Sequence, residues 1–272
     1  MKKIITLLIL LTLAVSITGC SVRFGIKDNE NYSSEIVNLN ESIQLNNEDE
    51  LMIDIKIGKV TIVGYDGDEV VVSGKSNRGS NIIKLSKDEN EIEVIDISEN
   101  QFNIGLFGDN IGDKTDIEIK VPNKFNGDID FSYGAGEAII KNLTCNKLDI
   151  EGGAGELNIN DIIFNNLDFS AGVGESNINL SNKCGDIKIE GGVGEVEVVL
   201  SEVGGNLDYE GGIGSARIQI PENAPVYFDT SSGIGSSNVN AKTSGENIYK
   251  FTLDVGVGDI KVYNYRFILH NK

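Results

Sequence analysis

Apolar and polar residues alternate with a period of two through most of the chain beyond residue 50, and glycines interrupt the alternation at regular intervals. Gly134 and Gly136 enclose one residue, and the same Gly-x-Gly unit returns at Gly153/Gly155, Gly172/Gly174, Gly192/Gly194, Gly212/Gly214, Gly233/Gly235 and Gly256/Gly258. Successive first glycines lie 19, 19, 20, 20, 21 and 23 residues apart. Flanking residues keep register with them. Five and three positions ahead stand pairs such as Ile129/Phe131, Leu148/Ile150 and Leu167/Phe169; four and six positions after stand pairs such as Ala138/Ile140, Leu157/Ile159 and Val196/Val198. Period-two alternation predicts strands with one buried face. A repeat near twenty residues predicts a stack, because neighbours bury what one repeat cannot. The expected fold is all-β, with a β-solenoid of about seven rungs over residues 126–265. Each rung is strand, Gly-x-Gly corner, strand and a looser connection, and the rungs are expected to stack in chain order. Thr230, at a core position of the sixth repeat, and the long last spacing mark irregularity toward the carboxyl end.

Residues 46–125 form a less regular β region. Strands are expected over Leu51–Ile57, Lys59–Val63, Glu69–Ser73, Glu91–Ile95 and Asp116–Val121, and a loop over Asn100–Thr115. Gly58 reads as a worn copy of the repeat corner. Two arrangements stay open: this region caps or begins the same stack, or it is a separate β-sandwich. Residues 20–45 are mostly polar and read as a tether, and residues 266–272 as a tail.

The amino terminus carries different chemistry. Lys2 and Lys3 precede an apolar run from Ile4 to Val15, too short to span a bilayer and followed by small residues, which is the pattern of a signal peptide over 1–19. Ile17-Thr18-Gly19-Cys20 resembles a lipobox, which implies cleavage before Cys20 and diacylglycerol on its sulfur. Ordinary secretion, with Cys20 unmodified, is the alternative. A lipidated chain would sit on the extracytoplasmic face of the cell membrane, held by two acyl chains at about 0.8 kcal/mol per buried CH2.

Charge narrows the partners. The full sequence has 42 acidic against 23 basic residues, and without Lys2 and Lys3 the formal charge is −21. Such a surface repels nucleic acid and anionic headgroups and attracts cations, cationic peptides or basic protein patches. His270 is the sole histidine, so a triad or His-rich metal site has little to draw on. Cys145 and Cys184 fall at nearly equivalent positions two rungs apart, roughly 9.6 Å, beyond the reach of a disulfide; both are expected to be free thiols.

Taken in order, Ile55-Lys-Ile-Gly58-Lys-Val-Thr-Ile-Val-Gly64-Tyr-Asp66, Val121-Pro122 and the Gly-punctuated repeats resemble the bacterial putative-adhesin β-strand-repeat family of toast-rack domains, over about residues 36–265. Here Gly-x-Gly-Glu mostly replaces that family's usual Ser-Gly-Asp corner. The resemblance implies envelope association and carries over no catalytic residue; some relatives accompany envelope-stress systems.

Stacking would align like residues into ladders. Asp130, Asp149, Asp168, Asp208 and Asp229, with Lys188 among them, form one row, and neighbouring carboxylates must be offset by solvent, cations or a basic partner. Oxygen ligands in a row make weak Ca2+ binding one candidate and a solvated acidic face the other. Gly-x-Gly is not a phosphate loop here, because a strand follows it instead of a helix. The expected function is a non-catalytic, cell-surface, adhesin-like binding module that presents a repetitive acidic face to an envelope protein or a cell-wall or surface ligand. The alternatives are an accessory protein of envelope-stress sensing that docks a membrane partner and, more remotely, a polysaccharide-active β-helix enzyme. Lys188 and Arg217, the basic candidates for the enzyme, fall on opposite sides of the corner.

Overall fold

The computed structural model describes residues 35–98 and 113–264. Cys20, the expected signal peptide and most of the expected tether lie outside them, as do most of the 100–115 loop and the tail. Among the described residues every regular element is a strand: β1 (Val37–Gln44), β2 (Glu50–Tyr65), β3 (Glu69–Ser76), β4 (Ile83–Asp88), β5 (Glu91–Asp96), β6 (Asp116–Pro122), β7 (Asp128–Lys141), β8 (Lys147–Asn160), β9 (Asn166–Ser170), β10 (Val173–Leu180), β11 (Asp186–Glu190), β12 (Val193–Leu200), β13 (Leu207–Ile220), β14 (Val226–Val239) and β15 (Tyr249–Asn264). The chain is all-β.

The repeats pair in parallel, glycine on glycine: Gly136 with Gly155, then Gly174, Gly194 and Gly214. The expectation that every Gly-x-Gly unit ends one strand and begins another needs correction. Gly134/Gly136, Gly153/Gly155, Gly212/Gly214, Gly233/Gly235 and Gly256/Gly258 lie inside the unbroken strands β7, β8, β13, β14 and β15. Only Gly172/Gly174 and Gly192/Gly194 fall where two strands separate, β9 from β10 and β11 from β12. A glycine bends the strand without ending it, because the ladder to the next repeat carries on through the unit. β2 joins the same ladder, with Gly58 opposite Gly136. β5 pairs in parallel with the first part of β2 and β6 with the last part. Antiparallel strands then cover that end, β4 on β5, β3 on β6 and β1 on β3. β1 lies inside the segment expected to be a tether. Only Leu39 of this strand is fully buried, so its alternation is faint, as befits an edge strand with one wet side.

The last two repeats exchange places, a second correction. Chain order would set Gly235 beside Gly214 and Gly258 at the end of the glycine row. Instead Gly258 packs against Gly214, and Gly235 pairs with Gly258 from its other side and ends the row. β15 correspondingly pairs with both β13 and β14, so the seventh repeat lies between the fifth and the sixth. The inward side chains give the reason. In β15 they are Phe251, Leu253, Val255, Ile260 and Val262, all buried. In β14 they are Phe228, Thr230, Ser232, Ser237 and Val239, all partly or largely exposed. Placing the apolar repeat inside and the polar one at the end buries more hydrocarbon and leaves a soluble terminal repeat. Phe228 still packs edge-on against Phe251, ring centroids 5.8 Å apart. Thr230 at a core-type position is thus the mark of a cap.

The core is one continuous interior lined by alternating residues, with Phe131, Phe169 and Phe251 among its largest buried side chains. Two tyrosines, Tyr133 and Tyr209, lie under the corner, and the glycine ahead of the Gly-x-Gly unit makes room for them. A Cβ at Gly152 would stand 3.0 Å from the Tyr133 hydroxyl, and one at Gly191 3.2 Å from that of Tyr209. Cys145 and Cys184 are buried free thiols. Cys145 N–H donates to the Ile163 carbonyl and Gly185 N–H to that of Phe164, which sets buried Phe164 in the repeat between the two cysteines. Burial, then the charge of Asp128, pushes the Cys145 thiol up to about 12, and burial also raises Cys184.

Candidate functional site: the glycine corner

The inward series changes parity across each Gly-x-Gly unit, and the enclosed residue is left facing out. Its second glycine has a positive φ in every repeat, from 133° at Gly136 to 148° at Gly194, with Gly235 at 143° and Gly258 at 145°, a region side chains disfavour. The first glycine of each unit lacks that conformation and is dictated by close approach: a Cβ at Gly233 would stand 2.5 Å from the Gly256 carbonyl oxygen. In stack order the enclosed residues are Ile57, Ala135, Ala154, Val173, Val193, Ile213, Val257 and Ile234, each opposite the next. The last five are branched aliphatics with exposures of 59, 48, 56, 41 and 71%. With strands about 4.8 Å apart they form an apolar ridge roughly 19 Å long. Where the row shrinks to Ala135 and Ala154, a cleft of about 540 Å3 opens, lined among others by Asp54, Lys56, Ile57, Tyr133 and Glu151.

Rows of carboxylates, interrupted by Ser170 and Ser231 on one side and by Ser215 and Ser236 on the other, flank the row of enclosed residues. Two positions before the unit stand Glu151, Glu190, Glu210 and Asp254; just after it stand Glu137, Glu156, Glu175 and Glu195. Some are paired: Lys59 Nζ is 2.9 Å from Glu137, Lys188 Nζ is 2.7 Å from Glu190, and Arg217 pairs with Glu195. Glu151, Glu156, Glu175, Glu210 and Asp254 have no ion pair among the described residues.

The expected aspartate ladder assembles in register as Asp130, Asp149, Asp168, Lys188, Asp208, Thr252 and Asp229. Its repulsion is relieved from within. Lys147 Nζ lies 2.9 Å from Asp149 and 3.0 Å from Asp168, and Lys250 Nζ lies 2.9 Å from Asp229. Hydrogen bonds from Lys147 to Asp149 and Asp168 hold its ammonium well above the ordinary lysine range. Asp130 is raised, by burial first and by Asp149 next. Among the described residues no three His, Cys, Asp or Glu side chains converge as a metal site. Of the Ca2+ candidates, Asp149, Asp168 and Asp229 are thus paired with lysines, whereas Asp130 and Asp208 have no ion pair among the described residues; the alternation that puts Lys147 on the face of Asp149 was the signal for its role. Other outward rows satisfy themselves: Asn177 donates to Asn158 at 3.2 Å and Asn165 to Asn146 at 2.9 Å.

At the far end of the corner row, buried Arg78 ties distant segments together. Its guanidinium donates to Asp96 at 2.9 Å, to Ser98 Oγ at 2.6 Å, to Thr115 Oγ1 at 3.1 Å and to the Ile57 carbonyl at 2.9 Å. Its Nε also stands 3.3 Å from Asp113. Ser98 and Asp113, which flank residues 99–112, are thus fixed beside Gly58. Removing one partner of so buried a charge set would leave the others uncompensated.

The Toastrack DUF4097 family model matches residues 48–262, most of the chain. The chain belongs to the Toastrack DUF4097 family. The match spans the Gly58 start, Val121-Pro122 and every Gly-x-Gly unit, so the resemblance drawn from these features is borne out. Among solved structures the Toastrack chain is similar to a "putative cell adhesion protein" from Clostridium sporogenes, at 16% identity over 85% of this chain and 100% of that one, TM-score 0.45. It is also similar to a "putative adhesin" from Bacteroides fragilis, at 16% identity over 85% and 98%, TM-score 0.46. A third is a "putative lipid binding protein" from Parabacteroides distasonis, at 14% identity over 86% and 98%, TM-score 0.41. Comparison with curated proteins gives no match.

Proposed function

We propose that this Toastrack chain is a non-catalytic binding module, held on the extracytoplasmic face of the membrane by a lipid on Cys20, whose β-solenoid presents the corner ridge to a partner. The solenoid reading is supported by the parallel, repeat-by-repeat register from β2 through β15. The observation that carries the binding reading is the ridge itself. Five of the twelve large apolar side chains exposed among the described residues stand in one unbroken file, and contiguous apolar patches of this kind mark interaction sites. An enzymatic reading gains nothing from the geometry, since Lys188 and Arg217 are each engaged by a glutamate.

In-cell crosslinking of the full-length protein tests the proposal. The wild type is expected to capture a discrete partner in the membrane fraction. The double variant Val193→Asp/Ile213→Asp is expected to lose it while keeping its far-ultraviolet spectrum and unfolding midpoint. Unchanged capture by the folded double variant would overturn the ridge as the binding face. A captured membrane protein would favour the stress-sensing role, and captured cell-wall material the adhesin-like one. Cys20→Ala is expected to release the protein into the medium.

A further inference from the structure

The chemistry of the ridge also specifies its partner. Resting on the binding function just described, we infer that the ridge takes a cationic amphipathic polypeptide segment, laid along the stack as a helix. Three observations converge on this chemistry. The apolar strip is narrow, a single file of Val173, Val193, Ile213, Val257 and Ile234 in continuous register. Carboxylates border it on both sides, interrupted by serines, and those without an ion pair among the described residues fall on both borders: Glu210 and Asp254 on one, Glu175 on the other, with Glu151 and Glu156 continuing the two borders beside Ala154. The basic residues that neutralise Glu137, Glu190 and Glu195 are spent within the chain, so the net field at the ridge stays negative in a protein of formal charge −19.

A helix is about 10–12 Å across with its side chains. It can therefore set one apolar stripe on the ridge while lysines or arginines on its two shoulders reach down to the carboxylates, their stems lying along the aliphatic side chains. A length of roughly 19 Å matches about thirteen helical residues. The glycines on either side of each ridge residue carry no side chain, so a partner backbone can approach closely there. At the Ala135–Ala154 end the cleft beside Tyr133 offers room for one large apolar side chain, with Asp54 and Glu151 on its rim. An anionic bilayer has the opposite charge preference, since its headgroups would face both carboxylate rows.

Fluorescence anisotropy with the purified soluble chain, from residue 21 onward, tests this directly. Two labelled eighteen-residue peptides share one leucine stripe and differ only in their shoulders, lysine in one and glutamate in the other. The lysine peptide is expected to bind at least tenfold more tightly than the glutamate peptide, and to weaken as salt rises. Its affinity is expected to fall at least tenfold with Val193→Ser/Ile213→Ser, a change too mild to unfold an exposed row. A loss is also expected with Glu151→Gln/Glu175→Gln/Glu210→Gln. Equal binding of the two peptides would overturn the charge argument, and lysine-peptide binding untouched by the serine variant would reduce the effect to general attraction. Ridge-dependent binding to phosphatidylglycerol vesicles in preference to the peptide would replace a polypeptide partner with a lipid surface. If neither peptide binds while in-cell capture still depends on Val193 and Ile213, the partner chemistry is wrong and the binding function stands; if capture fails too, both fall.

Discussion

The glycine corner can be tested with one methyl group at each of two sites. Gly174 has φ +144°, and an added Cβ would overlap the carbonyl oxygen of Gly155 and stand 2.8 Å from its carbon. Gly245 has φ +82°, but an added Cβ would meet nothing within 4 Å. Gly245→Ala therefore carries only the backbone penalty of the left-handed region, about 1–2 kcal/mol, reduced by the smaller entropy of the unfolded chain. Gly174→Ala carries a backbone penalty of about 1–3 kcal/mol and must also push two repeats apart. Ladder hydrogen bonds beside the corner then lengthen, at about 1 kcal/mol each, which brings the expected cost to about 3–5 kcal/mol. That is a large part of a typical domain's stability. Equilibrium urea unfolding gives the total, with the m-value watched for loss of cooperativity, since repeat arrays can unfold in parts. Hydrogen exchange gives the location: the Val193 amide, which donates to Gly172 at 2.9 Å, is expected to lose protection in Gly174→Ala and keep it in Gly245→Ala. Equal destabilisation by the two substitutions would show that backbone conformation, and not close stacking, dictates the glycines, and the argument for the corner would fail.

Three further outcomes are expected. Lys147→Met should cost about 1 kcal/mol at pH 7, from two partly exposed ion pairs. Because the folded pKa of Lys147 is raised, its contribution is complete below the ordinary lysine value of about 10.4 and is lost as pH rises through the raised value. The stability gap between wild type and variant should hold from pH 7 to 10 and close above; a gap that closes below pH 9 contradicts the assignment. Cys145 and Cys184 should resist maleimide in the native state at pH 8 and react fully in guanidinium, without prior reductant; a disulfide seen by intact mass would contradict the stacking. Excess Ca2+ should leave Tm where chelator leaves it, because Lys147 and Lys250 already pair with Asp149, Asp168 and Asp229 and no three carboxylates converge among the described residues; a rise of more than ~3 °C, about 1 kcal/mol for a chain of this size, would show that cations bind there.

The period of the glycines and the alternation around them made the strands from Asp128 onward and the family readable without coordinates. Leu51–Ile57 and Lys59–Val63, expected as two strands, form the single strand β2 because Gly58 acts like the other corners. The exchange of the last two repeats was harder to see. Gly233-Ile-Gly235 and Gly256-Val-Gly258 are alike as local motifs, so nothing in them says which lies next to Gly214. Thr230 signalled something unusual, but choosing which repeat lies inside requires comparing Ser232 and Ser237 with Val255 and Ile260 across the whole stack, a long-range preference and not a local one. The ridge was masked by its neighbours: Val173, Val193 and Ile213 stand between glycines, a context that reads as turn, and only the parity change shows that they face solvent. β1 and β4 escaped notice because edge strands carry short, diluted alternation, and the Arg78 cluster joins residues that nothing in the sequence links.

Site-specific photocrosslinking in cells probes the ridge residue by residue. A photoreactive residue is placed in turn at Val193, Ile213 and Val257 on the ridge, and at Asn158, Asn177 and Gln219 on the neighbouring outward face. One partner is expected from the ridge positions and little from the others. Capture spread evenly over both sets, or confined to the outward face, would contradict the ridge as the binding face.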